Sequence, residues 1–151
     1  MAADLTTTVT ESVVLNGALR GNTNTVTTTG INNVFERILT CTHSQTTTVA
    51  VFNSTSYGAD GAIDVENCKY LRVTNLSTTE DMKVAFVTSA TNYQVTVRAG
   101  GSHILFQAEE ALIGDDSGGA PAFPTLEDIV TVEVRPSATT DIQVAVFVAT
   151  V

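Results

Sequence analysis

At 151 residues, with 43% hydrophobic and only 15% charged residues, the chain is long enough to bury a core without disulfide or metal staples. Sixteen acidic residues against seven Lys and Arg give a net charge of −9, and the cations are scattered, which argues against a surface for the phosphates of nucleic acid. No run approaches the roughly 18 apolar residues of a membrane helix.

Threonine replaces the usual charges: there are 26, in runs such as Thr6-Thr7-Thr8, Thr27-Thr28-Thr29 and Thr46-Thr47-Thr48. Its β-branched side chain suits a pleated surface and still wets it. The opening MAADLTTTV lacks the basic and apolar regions of a signal peptide, so synthesis in a cytoplasm is expected. Residues 6–15 read as a first strand ending at Asn16-Gly17, a strong turn pair. Residues 22–30 are Thr-rich with Val26 as their only large apolar residue, which suits an edge strand or an extended loop. Residues 32–41, NNVFERILTC, fit helical spacing through Val34, Phe35, Ile38 and Leu39, but the β-branched surroundings favour a strand. Residues 46–53 are a strand, 54–61 a loop, and 62–68 a short strand.

The densest patterning lies in 69–106. Leu71 and Val73 alternate with Tyr70, Arg72 and Thr74 until Asn75 breaks the run; Tyr93, Val95 and Val97 alternate with Gln94, Thr96 and Arg98. Period two with Gly, Asn, Asp and Ser between the runs predicts an antiparallel meander of four strands with one buried face. Gly100-Gly101 lacks the Lys-Ser/Thr of a phosphate loop and is expected to make a turn that needs positive φ. Residues 107–124 form one long irregular segment, and 129–135 with 141–151 a closing hairpin about Arg135-Pro136-Ser137-Ala138. The expected fold is a single all-β domain: an antiparallel β-sandwich or jelly-roll-like barrel of eight to ten short strands, with residues 1–10 as an N-terminal arm.

Chemistry-bearing residues are few. Cys41, His43, Cys68 and His103 would make a Cys2His2 set, but their spacing follows no zinc pattern, and two buried free cysteines are the simpler expectation. Glu80-Asp81, Glu109-Glu110, Asp115-Asp116 and Glu127-Asp128 are adjacent pairs at turns, whereas acid–base carboxylates face each other across a cleft. The loop Asp115-Asp116-Ser117-Gly118-Gly119 lacks the ligand alternation of a calcium loop, and no serine lies in a nucleophile motif. Asn53-Ser54-Thr55 and Asn75-Leu76-Ser77 match the glycosylation sequon. No enzyme activity, metal or cofactor is expected.

The segments VTESVVLNGALRGNTNTVTTTGINNVFERILTC, DGAIDVENCKYLRVTNLSTTEDMKVAFVT, NYQVTVRAGGSHILF and TLEDIVTVEVRP with TDIQVAVFVAT resemble small virion structural proteins of marine tailed phages, such as those infecting cyanobacteria. The resemblance covers nearly the whole chain and rests on structural turns. With the small β fold and the Thr-rich acidic exterior, it implies a non-enzymatic capsid decoration (cement) protein located in the virion. Its expected partners are the major capsid protein and itself, as a homotrimer. The contacts are expected from the 2–10 arm, as an unpaired strand adding to a neighbour's sheet edge through Leu5 and Val9, and from Leu112, Ile113 and Phe123 in the long loop. The alternatives are a tail, tail-fibre or spike component, or a glycan-binding module using Tyr57, Tyr70 or Tyr93 in a chain without Trp.

Overall fold

The computed structural model describes residues 2–55, 61–106, 112–113 and 126–151, and every regular element among them is a strand. Four strands, β1 (Ala3–Thr10), β2 (Val13–Leu15), β3 (Ala18–Arg20) and β4 (Thr23–Ile31), precede the body. The body begins with β5 (Asn33–Cys41), β6 (Thr47–Asn53), β7 (Ile63–Asp64) and β8 (Cys68–Asn75). It continues with β9 (Met82–Val87), β10 (Asn92–Val97) and β11 (Ser102–Phe106). Two short strands, β12 (Leu112–Ile113) and β13 (Glu127–Asp128), pair with each other before β14 (Thr131–Pro136) and β15 (Ile142–Thr150) complete it. The 32–41 segment is thus a strand, as its β-branched composition favoured. Two residues of the 107–124 segment, expected to be irregular, are the strand β12; the rest lies outside the described residues.

Pairing is nested. β9 pairs with β10, β8 with β11, β6 with β14 and β5 with β15, all antiparallel. Lateral pairs β9–β14 and β8–β15 join these into one sheet of order β10-β9-β14-β6, extended by the parallel stub β7, and another of order β11-β8-β15-β5. Four nested pairs rolled into two facing sheets are the strand order of a jelly roll, here an open sandwich with edges rather than a closed barrel.

Two sequence expectations fail here for one reason. The 69–106 run is not a meander: β8 and β11 lie in one sheet, and β9 and β10 in the other. Nor do β14 and β15 form a closing hairpin, because they too lie in opposite sheets. The β8–β9, β10–β11 and β14–β15 connections cross the sandwich, and of the turns in these runs β9–β10 alone reverses within a sheet. Period-two alternation states which side chains face inward and says nothing about which strand lies alongside. The crossings are tied together: the Ser137 amide donates to the Asp81 carbonyl at 2.9 Å, linking the β14–β15 connection to the β8–β9 connection.

The inward sets interdigitate as the alternation required. Leu71 and Val73 of β8 and Val144, Val146 and Val148 of β15 meet Met82, Val84 and Phe86 of β9 and Val132 and Val134 of β14, all fully buried. Each such side chain contributes roughly 1.5–3 kcal/mol by leaving water. Asn75, the residue that broke the pattern, is also fully buried. Its Nδ2 donates to the carbonyls of Glu80, Val97 and Arg98 (2.7, 3.3 and 3.3 Å), and its Oδ1 accepts from the Ser77 amide (3.0 Å). One amide side chain therefore pins the β8–β9 crossing to the end of β10. Gly100, at φ +72°, makes the expected turn, which leads from β10 across to β11.

Candidate interaction surface

Residues 3–31 form one long hairpin. β1 pairs with β4, β2 pairs with β3, and the register runs unchanged from Thr10↔Thr23 to Val13↔Arg20 and Leu15↔Ala18. The end is a two-residue turn in which Asn16 (φ 51°) and Gly17 (φ 75°) both have positive φ, as an Asn-Gly hairpin requires. Between the two strand pairs the ribbon is pinched: the Glu11 amide donates to the Asn22 carbonyl at 2.8 Å. Gly21 there (φ +113°) leaves no room for a side chain, since a Cβ would lie 2.1 Å from the Glu11 carbonyl oxygen. The arm expected to be unpaired is therefore paired along its length by β4; residues 22–30, with Val26 as their only large apolar residue, do not by themselves distinguish an edge strand from a loop.

The ribbon's two faces differ. Thr6↔Thr27, Thr8↔Thr25 and Thr10↔Thr23 form a threonine ladder on the outer face, with hydroxyls bonded across the strands at 3.1 Å (Thr8–Thr25) and 3.3 Å (Thr23–Thr10). On the other face Leu5 packs with Tyr70, Ile104, Phe147 and Ala149, the outer face of the four-stranded sheet. A lone two-stranded hairpin is marginal in water, so this packing holds the ribbon. A bulge lets it lie down: the register slips by one residue between Ala3↔Ile31 and Leu5↔Thr28, where Gly30 has φ +82°.

Between β1 and the sheet runs a groove of about 440 Å³ whose walls include Leu5, Val9, Tyr70, Arg72, Ile104 and Phe147, with Glu36 at its margin. Tyr70 meets Phe147 edge-on (centroids 5.8 Å apart, 78° between planes), and the Arg72 guanidinium lies 5.6 Å from the Phe147 ring centroid. The Arg72 Nε is buried and has no hydrogen-bond partner among the described residues.

Of the expected contact residues, Leu5 is half-buried at the ribbon's root and Val9 is exposed at 37% beside the groove. Leu112 and Ile113 pair with Asp128 and Glu127, while Phe123 and Tyr57 lie outside the described residues. The largest exposed apolar cluster among the described residues was not anticipated. Val13, Val14, Leu15 and Leu19 at the hairpin tip are 56%, 69%, 60% and 72% exposed. Its signal was present in VVLNGAL: an Asn-Gly turn flanked by apolar residues at consecutive positions, so both faces are apolar instead of one.

The Cys and His residues do not converge. Cys41 pairs with Ile142 and Cys68 with Thr150, at opposite ends of β15, roughly 27 Å apart along the strand at about 3.4 Å per residue. That separation precludes a disulfide or a shared metal. Both thiols are free and buried; burial raises them, Cys68 to about 11, so they stay protonated at neutral pH. His43 is exposed in the β5–β6 turn, where its backbone amide (2.8 Å) and Nδ1 (2.6 Å) meet Asp141 Oδ1. The amide bond, then the ring bond, hold the Asp141 carboxyl below its ordinary range. His103 lies against Phe86 and Tyr93, 5.4 and 5.9 Å between centroids, with a buried Nε2 that has no partner among the described residues, and burial lowers its pKa.

The carboxylate pairs that are described act as turn fasteners. Asp81 binds the Arg98 guanidinium (3.0 Å) and the Ala99 amide (3.1 Å), and Glu127 accepts from the Ala90 amide (3.3 Å). Asn75, one of the two sequon asparagines, is fully buried and so is closed to a glycan. Comparison with protein-family models, with curated proteins and with solved structures found no match to this chain.

Proposed function

We propose that this chain is a non-enzymatic virion structural protein, a decoration (cement) protein that binds the outer face of a phage head as a homotrimer and stabilises contacts between capsid subunits. The observation that carries this reading is the ribbon. A rigid jelly-roll body holds a long hairpin with a wetted threonine face and an apolar end, an arrangement suited to joining neighbouring surfaces rather than to transforming a small molecule. The sequence resemblance to small virion proteins supports the same reading, and the acidic body suits docking on a basic capsid face.

The test is addition of the purified protein to phage heads that lack it, with bound copies counted. Saturable binding in proportion to the capsid subunits, together with greater resistance of the heads to heat, is expected. A few copies at one vertex would move the protein to the tail or a spike, and no binding would sink the reading.

A further inference from the structure

We infer that the β2–β3 tip of the ribbon docks into the ribbon groove of a second copy of this chain, head to tail. The tip is apolar on both faces. Leu15↔Ala18, with Val13, lie to one side and Val14↔Leu19 to the other. Packing flat on a single surface would leave half of it in water, so its complement is a cleft with two walls. The groove between β1 and the outer face of the four-stranded sheet has that form: Leu5, Val9, Tyr70, Ile104 and Phe147 supply apolar contacts in walls that also hold the β1 threonines and Ser102. A hairpin does not fill its own groove, because its tip side chains stand exposed.

Charge selects the occupant. Residues 2–31 carry Asp4, Glu11 and Arg20, a net −1, which leaves −8 of the chain's −9 on residues 32–151. Two bodies approaching directly repel each other, whereas the near-neutral tip can approach an acidic body. Arg20 closes the tip in the Val13↔Arg20 pair, and Glu36 stands at the groove margin; neither has an ion-pair partner among the described residues. Beside Glu36, on the same face of the edge strand β5, Ile38 is 65% exposed and extends the receiving surface. Seating the tip brings the unpaired cation to the unpaired anion while the apolar residues meet.

A tip that enters a different surface makes a heterologous contact, which closes into a ring when the rotation between copies closes and otherwise runs on as a filament. The homotrimer proposed above is such a ring, and the inference rests on that part of the proposal alone.

The experiment is light scattering on the size-fractionated full chain. The wild type is expected at the mass of three chains, and Leu15→Asp with Leu19→Asp at the mass of one, still folded and unfolding cooperatively because the tip supports no core, with a midpoint that no longer depends on protein concentration. Arg20→Glu and Glu36→Arg should each weaken association about tenfold. The two together in one chain should restore it, an outcome that a merely structural role of either residue does not produce. A monomeric wild type, an unchanged mass in the tip variant, or no recovery in the double charge swap overturns the inference. Head binding, measured separately, keeps the outcomes apart: a monomeric wild type that still coats heads removes this contact and leaves the virion reading standing.

Discussion

The body and the ribbon laid across it are made of the same antiparallel pairing, yet they are held by different forces. In the body, the inward apolar side chains of β8, β9, β14 and β15 pack into one core between the sheets, and their burial is complete or nearly so. The ribbon has backbone pairing and a threonine ladder, but only its root, around Leu5, is packed on the body. Strand pairing by itself adds little net stability, because water competes for the same hydrogen bonds. Burial decides which hairpin is rigid and which is left available for a partner.

That contrast breaks first in the core. Phe86→Ala is expected to lose about 3–5 kcal/mol by leaving a cavity between the sheets, while Leu19→Ala at the tip should stay within about 0.5 kcal/mol. Chemical denaturation of the two variants at a concentration where the chains are dissociated measures both, and comparable losses would mean that the tip is packed on its own body. Asn75→Leu keeps the branched shape, at somewhat greater bulk, and removes the bonds that pin the β8–β9 crossing, stranding the carbonyls of Glu80, Val97 and Arg98. A cost on the order of 2–3 kcal/mol follows, read as a lower denaturation midpoint with an unchanged slope.

Gly21→Ala tests the ribbon alone. The added methyl would collide with the Glu11 carbonyl. Amide hydrogen exchange at β2 and β3 is therefore expected to accelerate, while exchange in β9, β14 and β15 and the unfolding midpoint stay as in the wild type. Faster exchange across the whole chain, or global destabilisation, would contradict an independent ribbon.

The smallest effect is that of pH. His103 has a folded pKa below its ordinary value near 6.5 because burial disfavours its cation. The unfolded state therefore binds the proton more readily, so stability is full above about pH 6.5 and declines as pH falls through that value toward the lower folded one. His103→Phe should flatten the thermal midpoint between pH 7 and 5. A slope that persists in the variant would assign the effect to another group.

What was legible in the residues follows the same division. Alternation in Leu71-Val73, Val95-Val97 and Val144-Val146-Val148 identified strands and their buried sides without reference to anything distant, because a strand's faces repeat every two residues. Asn16-Gly17 and Gly100 announced turns, since positive φ is a local cost that few residues tolerate. The interaction surface was much less legible. Leu5 and Val9 were recognised as candidates, but the apolar tip was read as the tail of an ordinary strand, because exposure depends on what the rest of the chain leaves uncovered.

By itself, then, the sequence determined the strand content, the inward set of side chains, the turn chemistry and the acidic, threonine-wetted exterior, all properties that span a few neighbouring residues. Only the tertiary structure decided that β8 and β9 part company across the sandwich, that β14 and β15 lie in different sheets, and that the N-terminal strand is paired. Each of those is a choice between partners of nearly equal local merit. It is settled by which arrangement buries both inward faces at once and leaves no buried polar group such as Asn75 without its bonds.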